Sequence, residues 1–244
     1  MFSILLYHRV GTSRISNNYN LLRDHFSYIA DNYAIILPGE PIPRKTPALW
    51  ISFDDASFDF YQYIFPLLQK LNLRALLAVP VKYIVEKSYV DTATRLSIPH
   101  YEAMNDGIYD SKAPYCSWEE IEEMVASQHV AIASHSYSHA NITLPGVDLD
   151  KEVIFSKELL EQRLKCPVTS FVYPFGKTSR DIHAFVSKHY AYGMKISGAA
   201  NRSWENNNGL LYRRCCDSLT HHLQPFSKAN RFGATAKYFI NTMR

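Results

Sequence analysis

Short apolar runs recur along the chain near residues 2–7, 33–37, 48–53, 74–80, 130–134, 168–172, 191–197 and 210–215. Runs of this length, bounded by turn-forming residues, read as strands buried on both faces. Between them, apolar positions recur at helical spacing, as in Phe58, Tyr61, Ile64, Phe65, Leu68 and Leu71, which gives a helix one buried face. Strands that alternate with helices are joined by crossovers and pair in parallel, so this order predicts an α/β barrel rather than a sandwich. The longest amphipathic stretch, residues 148–164, is expected to turn Val153, Leu159, Leu160 and Leu164 towards the barrel. No internal repeat or domain boundary interrupts the pattern, and residues 1–244 read as a single domain.

The alternation lapses at length only over residues 82–115, which are polar and carry Pro99, Asn105, Asp106, Gly107 and Pro114 without sustained periodicity. Long segments of this kind in compact domains are usually functional or disordered. Because it follows a strand, this one is expected to overhang the C-terminal rim of the barrel, where such folds carry their active sites. A second loop, residues 201–209, is read onto the same rim.

Three of the predicted strands end in chemistry. The run Ala48–Phe53 closes on Asp54 and Asp55, an ending with no structural use for a buried strand. Successive strand side chains point in opposite directions, so the two acids are expected to meet different surroundings and take different jobs. The run Val130–Ala133 leads into Ser134-His135-Ser136-Tyr137-Ser138-His139. His135 and His139 lie on one face if the segment makes a helical turn, and a third ligand from elsewhere completes a site with open positions. A set of one Asp and two His suits zinc and admits other first-row divalent ions. The run Val168–Val172 ends at Tyr173-Pro174-Phe175-Gly176, where Pro174 and Gly176 mark a tight turn.

Composition narrows the class. With 47% hydrophobic residues, the chain can bury a substantial core. The net charge is +3 and the basic residues are scattered, which gives no reason to invoke nucleic acid. No apolar stretch approaches the length of a membrane span. Cys116, Cys166, Cys215 and Cys216 lack metal-ligand spacing, and the adjacent last two are poorly placed to bond to each other. Met1–Leu6 lacks the basic start and long apolar run of a secretory leader, so a cytoplasmic location is expected, or export if a leader has been removed.

The strings SFDDAS, SHSYSH and FVYPFG resemble the first three motifs of the polysaccharide deacetylase family, the NodB-type carbohydrate esterases. Leu5-Leu6-Tyr7-His8-Arg9-Val10, Cys116–Ile121 and Leu211-Tyr212-Arg213-Arg214 also sit where members carry similar text, so the resemblance covers about residues 1–215. The opening is most similar to the branch containing poly-N-acetylglucosamine deacetylases. The resemblance implies a distorted barrel of about seven strands, a substrate containing an N-acetylated amino sugar, and a divalent ion, with zinc placed ahead of cobalt, nickel or iron. It makes Asp55, His135 and His139 the metal ligands and Asp54 the general base. It also places an oxyanion-binding backbone N–H at Phe175. Tyr137, Pro174 and Trp204 are then candidates to line the sugar pocket, although Trp204 would equally serve to plug its loop onto the barrel.

The chain departs from the family pattern at three points. The arginine that often begins the third motif and pairs with the base is replaced by Val172, so Asp54 must be oriented by another group. Phe175 stands where a tyrosine is common, which matters little if only its backbone is used. Leu219-Thr220-His221 has the letters of the final motif, whose histidine protonates the leaving amine, but its surroundings are too polar and too little chain follows. His8, which ends the first predicted strand, is the alternative acid and the one favoured here. Two other readings remain open. A glycosidase using Asp54 and Asp55 would need carboxyl groups about 5 Å or more apart across one bond and would leave the histidines unexplained. A catalytically silent carbohydrate binder is suggested by the absent arginine.

Overall fold

The computed structural model describes residues 1–205 and 208–242; Asn206 and Asn207, in the second of the two loops, lie outside them. The chain opens with β1 (Phe2–Tyr7), the short β2 (Arg9–Val10) and β3 (Ser16–Asn17), α1 (Tyr19–Asn32) and β4 (Ala34–Ile35). Next come β5 (Ala48–Phe53), α2 (Phe65–Leu71) entered through a π-turn at Phe60–Ile64, and β6 (Ala75–Val79). The following segment carries α3 (Thr92–Ser97), α4 (His100–Ala103) and α5 (Tyr109–Lys112), and leads to α6 (Trp118–Ala126) and β7 (Val130–Ser134). A second π-turn, Asp150–Phe155, runs into α7 (Ser156–Leu164), followed by β8 (Ser170–Val172) and α8 (Arg180–Val186). The chain ends with β9 (Tyr192–Ile196), β10 (Leu210–Cys215) and α9 (Lys228–Thr242).

All eight apolar runs are strands, and every pairing among them is parallel. Seven close into a barrel in the order β1, β10, β9, β8, β7, β6, β5, because β1 and β5 also pair, from Phe2 with Ala48 to Tyr7 with Phe53. β4 lies outside the ring and pairs with Ala48 and Leu49, on the edge of β5 that β6 occupies from Ile51 onwards. The β2 and β3 pair has no hydrophobic signature in the sequence, since Ser16 and Asn17 are polar and the strands are two residues long.

Alternation along the strands sorts the core into two layers. Phe2, Ile4, Ala48, Trp50, Leu76, Ala78, Ala133, Val172, Met194 and Leu211 fill the barrel interior. Residues of the opposite parity, such as Leu5, Leu49, Ile51, Phe53, Leu77 and Ile132, pack outward against Phe26, Leu68, Ile121 and Leu160 of the helices. Val153 and Leu160 are buried as expected, with Leu159 and Leu164 packed at the margin.

Trp204 corrects one expectation. Its ring meets Phe2 at 4.6 Å, Tyr192 at 5.6 Å and Trp50 at 5.7 Å, and its indole N–H donates to the Glu40 carbonyl at 2.7 Å. Phe2 and Tyr192 begin their strands, so Trp204 plugs the N-terminal end of the barrel, opposite the rim. The segment over residues 82–115 is ordered and reaches the rim as expected. Arg95, 4% exposed, clamps it by bonding Glu120 through both terminal nitrogens at 2.6 and 2.9 Å and by donating to the Ala113 and Tyr115 carbonyls at 2.7 and 2.8 Å. Glu120 also closes the capping box with Ser117 that starts α6, which ties the segment to a helix end.

Candidate active site

The inward columns of the barrel run upward into polar residues. On β1 the column Phe2, Ile4, Leu6 continues to His8; on β5, Ala48, Trp50, Ser52 continues to Asp54; on β7, Ala131 and Ala133 continue to His135; on β10, Leu211 is followed by Arg213. The same parity that fills the core therefore aims four functional side chains at the space above it. Asp55 has the wrong parity but takes a left-handed φ of 72°, and Ala56 follows at 52°, so the strand stops and the second carboxylate swings into the same site. Both acids then face His135, whose Nε2 lies 3.8 Å from Asp54 and 3.5 Å from Asp55. The expected divergence of the two carboxylates therefore holds in their partners, not in their location.

His135 and His139 are not joined by a helical turn. The residues between them form bends, with left-handed φ at Ser136 (63°) and at His139 itself (57°), and this loop returns His139 over His135 with ring centroids 4.7 Å apart. The Nδ1–H of His135 donates to the Val172 carbonyl at 2.9 Å, which fixes the tautomer and leaves Nε2 with a free lone pair. Val172, which cannot supply the arginine, supplies this acceptor instead. His139 Nε2 lies 3.3 Å from Asp55 Oδ1, and burial followed by the neighbouring His135 lowers its pKa to about 4. For Asp55, burial alone would raise the pKa, but the adjacent His135 imidazole and the charges of His139 and His8 hold it well below the usual carboxylate range.

These groups fit a divalent cation. Asp55 Oδ1 and one nitrogen each of His135 and His139 lie within 4.8 Å of one another, and Asp55 Oδ1 is buried without a hydrogen-bond partner. Ligand atoms 2.0–2.1 Å from a tetrahedral ion sit about 3.3 Å apart, close to the spacings here, and an imidazole pair with a carboxylate is a zinc-type donor set.

Arg213 is the group that orients Asp54, and the sequence reading did not assign it. The guanidinium is 0% exposed, meets Asp54 through two bonds of 2.6 and 2.9 Å, and donates to Ser52 at 3.0 Å. Burial would raise the Asp54 pKa, but Arg213, then His135 and His8, hold it below its ordinary value. A second unassigned residue, Asp217, accepts from the His8 backbone N–H at 3.1 Å and bonds its ring Nδ1 at 2.6 Å, leaving Nε2 at 3.9 Å from Asp54. Burial pulls the His8 pKa down, but the Asp217 hydrogen bond and the charges of Asp54, Asp55 and Asp217 override it and raise the pKa to about 9. Arg213 was marked by its place in the family-like string Leu211–Arg214 and by standing two residues beyond the inward Leu211, though no role was given to it; Asp217 lies after the strand and carries no periodic signal.

Phe175 sits beside the cluster, its ring 4.7 Å from that of His139. Its φ is 58°, and among the described residues its amide has no acceptor outside its own turn. The next residue must be glycine: a Cβ on Gly176, at φ 64°, would lie 2.9 Å from Ile196 Cβ and 3.0 Å from the Ile196 backbone nitrogen. Pro174 is buried beneath this turn. Tyr137 and His221 correct two further expectations. The Tyr137 ring packs on Phe155 at 5.6 Å under Lys151 at 4.8 Å, and among the described residues it makes no ring contact with His135 or His139. His221 is exposed, its Nδ1 accepts from Leu223 N–H, and it borders a surface cavity with Tyr28, so it is not part of the cluster.

Fold and site together define a parallel (β/α) barrel whose rim offers a divalent cation two imidazole nitrogens and one carboxylate oxygen, beside a second, arginine-held carboxylate. Residues 42–194 match the family described as polysaccharide deacetylase, and the chain belongs to that family, in which metal dependence is the norm. The matched stretch holds Asp54, Asp55, His135, His139 and Phe175; His8, Arg213 and Asp217 lie outside it. The chain is similar to the poly-beta-1,6-N-acetyl-D-glucosamine N-deacetylase of Escherichia coli (strain K12), with 32% identity over 105 residues, 43% of this chain and only 14% of that protein. Its fold is shared with a polysaccharide deacetylase from Bacillus cereus (TM-score 0.74, 19% identity, 91% of this chain and 67% of that one). It is also shared with IcaB from Ammonifex degensii (TM-score 0.72, 19% identity, 96% and 97%).

Two predictions follow from this geometry. Replacing Arg213 with Met leaves a buried carboxylate unpaired and is expected to destabilise the protein by about 3–5 kcal/mol, read by denaturant unfolding; Arg213→Lys restores charge without the bidentate geometry and recovers only part of the loss. His135→Ala and His139→Ala are each expected to abolish stoichiometric zinc or cobalt binding by elemental analysis, and full metal content in both would refute the ligand set.

Proposed function

We propose that residues 1–244 form one deacetylase domain that hydrolyses the N-acetyl group of an amino sugar in a carbohydrate chain, with zinc as its ion. The observation that carries this reading is the placing of two oppositely tuned proton-transfer groups, Asp54 and His8, on one side of the Asp55, His135 and His139 set. The curated relative supports a beta-1,6-linked N-acetylglucosamine substrate, as its printed activity concerns that polymer.

An ion held by Asp55, His135 and His139 would supply Lewis acidity, polarising the acetyl carbonyl and making water a stronger acid. The chain's own groups do the rest. Asp54, kept ionised by Arg213, takes a proton from the water whose oxygen attacks the acetyl carbon. The Phe175 N–H donates to the oxyanion as the carbonyl π bond breaks; preorganised donors of this kind are worth about 3 kcal/mol of barrier. His8, held protonated by Asp217, gives its proton to the sugar nitrogen as the C–N bond breaks, releasing acetate and a free amine. Arg213 removes the main reason for a catalytically silent reading, since the base has its cation after all.

Acetate release from N-acetylglucosamine oligomers is the direct test. Release is expected to stop with chelator and return with zinc or cobalt, while Asp54→Asn keeps its metal and loses turnover by a factor of about a hundred or more. An active Asp54→Asn enzyme would refute the base assignment. The pH profile tests the acid. His8 acts while protonated, so activity is expected to fall as pH rises through its raised pKa; Asp217→Asn removes the main group raising it and moves this alkaline limb of kcat/KM to lower pH. An unmoved limb would exclude the His8–Asp217 pair as the acid.

A further inference from the structure

His100 belongs to none of the motifs discussed above, yet α4 carries it to the metal-binding cluster. Its Nδ1 lies 3.9 Å from Asp55 Oδ2, the oxygen turned away from the one that faces His135 and His139. Its side chain is 34% exposed, and among the described residues no group hydrogen-bonds its ring. The position is fixed by its surroundings. Pro99 starts the turn of α4, Arg9 donates to the Ile98 carbonyl at 3.2 Å while paired with Asp59 at 3.4 Å, and the Arg95 clamp secures the preceding helix. The segment is therefore a wall of the site, with a histidine at its edge that is neither a ligand nor a satisfied structural group.

On the far side of His100 a groove of about 540 Å³ runs between residues 9–16 and 96–101. Arg9 and Arg14 line it and no carboxylate does. Arg9 is neutralised by Asp59, and Arg14 makes no ion pair among the described residues. Tyr101, at the groove margin, is 78% exposed. An exposed aromatic face, hydroxyl groups from Thr12 and Ser13, and a free guanidinium suit a neutral sugar ring, which offers C–H faces for stacking and oxygen atoms as acceptors. The groove meets the cluster at His100, so a chain whose acetyl group enters the cluster would have its adjoining residue there.

Resting on the deacetylase reading above, we propose that this groove is a second sugar subsite, and that His100 is the contact joining it to the reacting centre. The occupant is the residue adjoining the one that loses its acetyl group. The arrangement makes the protein a reader of chains rather than of single sugars.

Titration calorimetry with the N-acetylglucosamine monomer and its beta-1,6-linked tetramer tests this, using metal-loaded Asp54→Asn protein to prevent turnover. Chelator-treated protein with Asp54 intact serves as a second background should that variant fold poorly. The tetramer is expected to bind about tenfold more tightly than the monomer, equivalent to roughly 1.4 kcal/mol. Ser97→Trp, which fills the groove, and Tyr101→Ala are each expected to erase most of that advantage and leave monomer affinity unchanged. His100→Ala is expected to weaken tetramer binding at unchanged metal stoichiometry; loss of metal instead would make His100 a ligand and overturn its role as a sugar contact. Equal affinity for the two sugars, binding of neither, or a tetramer affinity untouched by Ser97→Trp would overturn the subsite. Acetate release is measured separately on the unsubstituted protein, so tetramer binding that depends on the groove without any acetate release would refute the deacetylase reading and leave the subsite standing.

Discussion

The buried ion pair between Arg213 and Asp54 is the constraint on which the site depends. A carboxylate at the top of a barrel packed with Trp50, Leu76, Met194 and Leu211 has no solvent to stabilise it, and burial alone would push its proton affinity up. The guanidinium from β10 reaches past β1 to β5, neutralises that charge through two hydrogen bonds and takes a third acceptor from Ser52. Such a pair adds little net stability compared with apolar packing, yet half of it is strongly destabilising. Base and arginine are therefore a single unit in chemical terms, although they stand at opposite ends of the chain.

Register does the rest of the positioning. In a closed parallel barrel, the residues that fill the interior and those that crown it belong to the same columns, so core packing fixes where His8, Asp54, His135 and Arg213 point. Asp55 departs from this rule and shows how it is broken. A left-handed φ ends β5 one residue beyond Asp54 and brings two consecutive carboxylates to one site with different partners, one on arginine and one on imidazoles. The loop from Ser136 to His139 uses the same device twice to set the His139 ring edge-to-face on that of His135. These non-glycine left-handed residues crowd around the cluster, where backbone strain is tolerated because the surrounding structure determines it.

The strands were legible because a buried parallel strand is a short apolar run with few alternatives, and the runs ending in Asp54, His135 and Val172 announced chemistry by where they stopped. What eluded the sequence has a common cause. Trp204, Tyr137 and His221 were placed from their neighbours in the chain, but a loop leaving one strand at the rim must reach the next at the base, and Trp204 lies on its descending part. Tyr137 shares the parity of the two histidines, but the left-handed φ at Ser136 breaks the alternation and sets its ring on Phe155. Arg213 stood in a family-like string with no role attached and Asp217 read as an unremarkable charge near a strand end; only closure of the ring, with β10 beside β1, brings them to His8 and Asp54.

That closure also explains why Asp54 and His8 are tuned in opposite directions. β10, β1 and β5 are consecutive in the barrel, and the segment from Arg213 to Asp217 faces both candidate groups: its arginine meets the carboxylate on β5 and its aspartate meets the histidine after β1. One partner is cationic and the other anionic, so the Asp54 pKa is driven down and the His8 pKa up, though the two side chains lie 3.9 Å apart. A base that stays ionised beside an acid that stays protonated is the condition for moving a proton in at one point and out at another. The candidate cation site follows β5 and β7 and includes neither of these partners. The five residues after Tyr212 therefore set the opposite charge preferences of Asp54 and His8, while the geometry of Asp55, His135 and His139 is fixed by other strands.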